Sequence, residues 1–391
     1  MKITNIKSYA VYGNFRNYVF LKIETDEGLY GVGEATTEFH TCAVIGCIRD
    51  IAHFLNGQEP RNIEALLYRI RRASYYENNA VLQSALGGCE MALWDILGKS
   101  LKVPVWQLLG GKIRDAIPIY GNGWRHNAQT PAEFAHYAAE AVAQGYRALK
   151  WDPFGCADQF MTRSELHRAE EEVAAVRQAV GKDVQLLIEG HGRFSVTGAL
   201  EAARMLAPYE PYYFEEPVPS YHLEGLEEVH RRCPIPLAAG ERLHALHDFG
   251  LLLSHHAVDV VQPDIIHAGG LQNIRKIAAI ADSFGILISP HNCNGPVANA
   301  ATLHADAGIA NLSLQEAFLT DAPWRGLLSD ESLYLTENQS IPVPERAGLG
   351  VELNENALTG YPPQDIPDFL FCPEYYQDCA IQRSTLLQAE K

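Results

Sequence analysis

Glu189, Glu215 and Glu241 each close a short apolar run, in VQLLIEGHGRF, PYYFEEPV and IPLAAGERL, and successive acids stand 26 residues apart. That interval holds one β-strand, one helix and two short loops. Acids recurring at the βα period arrive on one rim of a parallel sheet, where they can converge. Convergent carboxylates need a cation, because like charges at close range suppress one another's ionisation. Hard oxygen ligands of this kind suit Mg²⁺. The spacing therefore predicts a metal site with Glu189, Glu215 and Glu241 as ligands.

The surrounding sequence supplies the sheet. From residue 117 to about 316, nearly all-apolar strands alternate with amphipathic helices. IPIYGNGW is followed by a helix opening TPAE, where Thr130 and Glu133 can form a capping box and Pro131 sits in the first turn. Strands apolar on both faces belong to a parallel sheet covered by helices on each side. The count reaches eight, which predicts an α/β fold with a (β/α)₈ barrel over residues 116–340. Residues 1–115 read as an α+β module: a hairpin turned at Asp26-Glu27-Gly28, then helices near 41–55, 62–73 and 79–99. The loop-rich segment 341–391 is too short to fold alone and is expected to pack back on that module.

The other rim positions add chemistry. Strand ends in order give Lys150 and Asp152, Glu189 and His191, Glu215, Glu241, Asp264, His291 and Glu316. Any one of these can be a solvated residue or a helix cap; their concentration on one rim argues for a site. Bound metal and Lys150 can stabilise the charge that develops when the proton α to a carboxylate leaves. His291 is the candidate base, with Asp264 fixing its tautomer. His191 lies two residues past Glu189, on the same side of its strand, and can protonate a departing hydroxide. Glu316, if protonated, can hydrogen-bond a substrate carboxylate.

Composition excludes other classes. A net charge of −17 argues against nucleic acid or an anionic membrane as partner. The start, MKITNIKSYAVYG, lacks the apolar core of a signal peptide, and no run reaches about 18 apolar residues. Eight cysteines without a CxxC pair suggest reduced thiols in a cytoplasmic protein.

The strings KWD, EGHGR, FEEP, AGE, QPD, SPHN and LQEA, in that order, resemble the enolase superfamily and within it the mandelate racemase subgroup. GVGEA in the front module together with GLGVELNE in the tail extends the likeness over essentially the whole chain. The resemblance implies a capping domain built from the front module and the tail, Mg²⁺, and abstraction of a proton α to a carboxylate to give an enediolate. It is nearest the acid-sugar dehydratases, galactonate dehydratase-like enzymes among them. For them it implies a small-molecule sugar-acid substrate, His291 taking the C2 proton, His191 protonating the 3-hydroxyl, and a 2-keto-3-deoxy product. It also implies a homo-oligomer.

Two positions depart from the subgroup. Racemases carry Lys-x-Lys where this chain has Lys150-Trp151-Asp152, so the base on the opposite face is missing and one-base elimination is favoured. Glu189 stands where relatives usually have Asp, which shifts the carboxylate by about one bond length. The alternative on the same scaffold is an epimerase or cycloisomerase of a sugar acid or its lactone, using His291 against His191 or Asp152. A non-catalytic binder has no need of a His–Asp pair. Candidate substrate contacts are Asp152, Arg193, Trp124 and His267 on the rim, and Asn14 and His40 in front-module loops. Cys293, beside His291, reads as packing.

Overall fold

The computed structural model describes residues 1–318, 322–331, 335 and 339–365. Its first module is a three-stranded antiparallel sheet: β1 (Ile3–Tyr12), β2 (Asn17–Thr25) and β3 (Tyr30–Glu34). Helices Thr41–Leu55, Ile63–Ala73 and Ala80–Leu101 follow. The β2–β3 reversal falls at the turn that the sequence predicts, with Gly28 at φ 80°. Gly31 and Gly33 allow β3 to lie directly on the helix Ala80–Leu101. A Cβ on either would stand 2.0 Å from the carbonyl oxygen of Ala92 or Gly88.

Eight short strands come next: β4 (Ala116–Gly121), β5 (Ala148–Trp151), β6 (Gln185–Glu189), β7 (Tyr213–Glu215), β8 (Leu237–Ala239), β9 (Val260–Val261), β10 (Leu287–Ile288) and β11 (Gln315–Ala317). Each from β4 to β9 pairs in parallel with the next, and β11 returns to pair in parallel with β4. At the remaining seam Ile288 N donates to Asn311 O at 3.0 Å, and Ser313 N to Ile288 O at 2.8 Å. The result is a curled, parallel-rich sheet with helices on its outside. Capping boxes at Thr130/Glu133 and Thr162/Glu165 start two of those helices, the first being the one legible in TPAE.

The two-residue strand period decides which side chains converge. Tyr120, Ala148, Leu187, Tyr213, Ala238 and Val260 pack against each other on the inner face. Their neighbours Ile119, Leu149, Ile188, Phe214, Ala239 and Val261 join the layer beneath the helices. Lys150, Glu189 and Glu215 stand two residues beyond Ala148, Leu187 and Tyr213, so they share the inner face at its upper edge.

Distant segments lock the front module to the sheet. Glu34 accepts hydrogen bonds from Gly295 N at 2.7 Å and Ala298 N at 3.0 Å, at the start of the helix Pro296–Asp306. Glu90 accepts Leu271 N and Gln272 N at the start of the helix Leu271–Ser283. The tail enters as β12 (Ser340–Pro342), antiparallel to β4, and then meets the front module. There Leu349 N donates to Asp95 Oδ1 at 2.8 Å, and Tyr30 Oη donates to Glu352 Oε2 at 2.9 Å. The part of the 341–391 segment beyond residue 365, with Cys372 and Cys379, lies outside the described residues. Cys42, Cys47, Cys89, Cys233 and Cys293 are free thiols. Among the described residues no helix is long and apolar enough to cross a membrane.

Candidate active site

Oxygens of Glu189, Glu215 and Glu241 come within 4.8 Å of one another. Lys150 Nζ sits among the acids, 2.5 Å from Glu215 Oε1, 3.1 Å from Glu189 Oε2 and 3.5 Å from Glu316 Oε1. Gln262 Nε2 donates to Glu215 Oε2 at 2.8 Å. Glu189 spends Oε1 on the backbone N–H of His191 at 2.7 Å, while its Oε2 is buried without a well-formed hydrogen bond. Burial and the adjoining Glu189 push Glu215 far above the usual carboxylate range. Glu189, despite the same burial, is held below it by His191 and Lys150. A divalent cation would relieve this mutual repulsion, and three convergent buried or half-buried carboxylates fit Mg²⁺ in kind.

His291 borders the cluster. Its Nδ1 is 2.8 Å from Asp264 Oδ2, and its Nε2 is 3.3 Å from Glu241 Oε2. Asp264 is itself fixed: Ile266 N and His267 N donate to Oδ1 at 2.7 and 3.1 Å, and Asn294 Nδ2 to Oδ2 at 2.7 Å. Burial opposes the charged imidazole, but Glu241, Glu316 and Asp264 raise the His291 pKa well above its ordinary value.

His191 occupies the other flank. Its backbone takes the left-handed conformation at φ 51°, with the N–H on Glu189. Its Nδ1 is 2.7 Å from Asp152 Oδ2, and Arg193 Nη2 also donates to that oxygen. His191 follows β6 and His291 follows β10, four strands apart in an order of eight.

Glu316 closes the ring beside Lys150. Asn122 Nδ2 donates to it at 2.8 Å and Asn292 N at 3.0 Å, with Lys150 close by. Burial would raise its pKa, yet Lys150 and His291 hold it at about 2. In this arrangement its carboxylate faces donors only: the Asn122 amide, the Asn292 N–H and the Lys150 ammonium.

The remaining candidates divide. Asp152 and Arg193 join the site but are engaged with His191 and each other. Trp124 packs in the core, T-shaped on Trp151, with its indole N–H on Lys150 O at 2.9 Å. His267 is buried, its Nδ1 2.9 Å from Ser84 Oγ. Asn14 and His40 are exposed. Glu38, two residues before His40, is the one that turns inward. It accepts Arg16 Nη1 at 2.6 Å and lies 3.8 Å from His267 Nε2. Sequence reasoning passed over Asn122 and Gln262, although each stands two residues past an inner-face residue, Tyr120 or Val260, and the strand period could have found them.

Two family models match in succession. Residues 12–110 match the mandelate racemase / muconate lactonizing enzyme N-terminal domain, and residues 133–357 match the enolase C-terminal domain-like family. A D-gluconate dehydratase of Thermoproteus tenax is 38% identical over 353 residues, covering 89% of this chain and 71% of that protein. A D-galactonate dehydratase of Verminephrobacter eiseniae is 37% identical over 377 residues, covering 94% and 96%. A crystal structure of a mandelate racemase/muconate lactonizing enzyme from Jannaschia sp. CCS1 superposes with a TM-score of 0.87 at 33% identity, covering 93% of this chain and 98% of the other. With both domains matched and these residues converging at one edge of the sheet, the chain belongs to the enolase superfamily, in its mandelate racemase and muconate lactonizing enzyme branch.

Proposed function

We propose that the protein dehydrates an aldonate-type sugar acid to a 2-keto-3-deoxy acid. The supporting observation is a pair of histidines, each on an aspartate, flanking a cluster of three glutamates. The dehydratase names of the relatives agree with this reading. Glu189, Glu215 and Glu241 would hold Mg²⁺, which when bound supplies positive charge to the substrate carboxylate as its α-proton leaves.

His291 is the base: Asp264 takes its Nδ1–H, and a cation held by Glu241 would offset the negative charge that favours the imidazolium, leaving Nε2 to accept the C2 proton. Lys150 donates toward the charge that builds on the enediolate. His191 delivers a proton to the departing 3-hydroxyl, and the enol ketonises to product. We take the curled sheet of 116–340 as a closed eight-stranded barrel, with 1–115 and 341–391 as its cap. In a closed ring His191 and His291 stand on opposite walls, so hydrogen and hydroxyl leave from opposite faces. A homo-oligomer in the cytoplasm completes the proposal.

The test is a sugar-acid library with Mg²⁺, detecting 2-keto-3-deoxy products with semicarbazide and using His291→Asn as control. A product that vanishes in the variant supports the reading. C2 exchange in D₂O without keto product would point instead to an epimerase or cycloisomerase.

A further inference from the structure

We infer that Asp152 and Arg193 form a clamp that positions His191 as the leaving-group acid, so that Asp152 acts through His191 and not as a substrate ligand. This rests on the dehydratase reading and assigns residues within it.

Every polar atom of the Asp152 carboxylate is committed. Oδ1 accepts the backbone N–H of Phe154 at 2.8 Å, which fixes the loop after β5. Oδ2 accepts His191 Nδ1 at 2.7 Å and the Arg193 guanidinium. Arg193 is similarly spent. Its Nη1 donates to Gly155 O at 2.6 Å and its Nε to Gly190 O at 3.0 Å, tying the loop after β5 to the loop after β6. The side chains of Asp152 and Arg193 are only 15% and 11% exposed, leaving little surface for a substrate hydroxyl.

The imidazole is thereby held at both ends. Glu189 Oε1 pins the His191 backbone in a left-handed conformation that residues other than glycine adopt only when their surroundings impose it. Asp152 pins Nδ1 and directs Nε2 away from the clamp. The same device serves the base, where Asp264 holds His291 Nδ1 and is held in turn by Asn294 and two backbone N–H groups. One histidine–aspartate pair thus removes the proton and a second returns one. The departure from Lys-x-Lys acquires a physical account: the position that would carry a second base carries the orienting partner of an acid.

A positioning role at His191 separates the two half-reactions. Removal of the C2 proton by His291 does not need His191; loss of the 3-hydroxyl does. Asp152→Asn keeps an oxygen for Phe154 N and presents an amide N–H₂ to His191 Nδ1 and Arg193, removing the ring's acceptor without removing volume. The experiment measures, in D₂O with Mg²⁺, deuterium wash-in at C2 of unreacted sugar acid and formation of 2-keto-3-deoxy product. It is run for wild type, Asp152→Asn and Arg193→Gln, with melting curves as folding controls. The expected result is a wash-in-to-product ratio raised about 100-fold in Asp152→Asn, the scale of one general acid, and raised less in Arg193→Gln. A 3-deoxy-3-fluoro analogue, which expels fluoride without needing a full proton, should be slowed far less. Loss of exchange and elimination in equal proportion, or equal slowing of the hydroxyl and fluoro substrates, overturns the clamp. A wild-type protein that neither exchanges nor eliminates any acid overturns the dehydratase reading itself, a separate failure.

Discussion

His304 lies at the junction of the sheet, the front module and the tail, and its protonation should set how the assembled chain withstands acid. It is buried in the helix Pro296–Asp306. Its Nδ1 accepts Trp106 N at 3.1 Å, and its Nε2–H points to Leu349 O at 3.1 Å, so the ring is neutral. Burial lowers its pKa from 6.5 to about 4. In the unfolded chain the group binds a proton near pH 6.5; in the folded chain it resists one until about pH 4. Its contribution is therefore present above pH 6.5 and is lost as pH falls through about 4. A shift of this size is worth about 3 kcal/mol, at roughly 1.4 kcal/mol per unit. His304→Gln retains an acceptor and a donor and does not titrate. Its stability relative to wild type should rise by about 3 kcal/mol between pH 7.5 and pH 4, whatever fixed penalty the repacking imposes. Urea unfolding of both proteins at several pH values reads this difference, in which the common carboxylate titrations cancel. A difference constant within about 1 kcal/mol across that range would refute the buried neutral histidine.

Further outcomes follow from the site and from one backbone position. Mg²⁺ at about 100 times its Kd should stabilise the protein by about 3 kcal/mol, and Glu215→Gln should abolish that gain in a thermal melt. Asp264→Asn should lower kcat by about 10³-fold or more while suppressing C2 exchange and elimination together, unlike Asp152→Asn. Gly270→Ala should lower stability by about 3 kcal/mol or more. Gly270 has φ 110°, and a Cβ there would stand 1.7 Å from Glu90 Oε2; calorimetry gives the change in Tm.

What the sequence discloses is what local periodicity carries. The strand-plus-helix interval separates Glu189, Glu215 and Glu241 evenly, and the two-residue strand repeat sends Glu189 and Glu215 inward with Lys150, while Glu241 follows the end of β8 across Gly240 at φ 147°. Those regularities operate within about 30 residues and leave their trace in the string. Side-chain destinations in the loops leave none. Trp124 and Arg193 stand at strand ends as plainly as His191, yet one packs outward and the other closes a clamp. Asp152 acquires its meaning from His191, 39 residues on. Glu90 caps a helix start 181 residues away, and Glu34 another 261 residues away. Each reads in sequence only as an acid in an apolar stretch. The surroundings of Glu316 are equally hidden, because only the folded sheet brings Lys150 and Asn122 beside it.

The placement of Lys150 bears on how the fold tolerates its own acids. Its ammonium stands within 3.5 Å of three buried carboxylates, Glu189, Glu215 and Glu316. One fixed positive charge offsets part of their repulsion. What remains after that partial neutralisation is a surplus of negative charge at one edge of the sheet, where oxygens of Glu189, Glu215 and Glu241 converge. The fold thus holds an internal counterion for these acids that does not depend on any ion from solution.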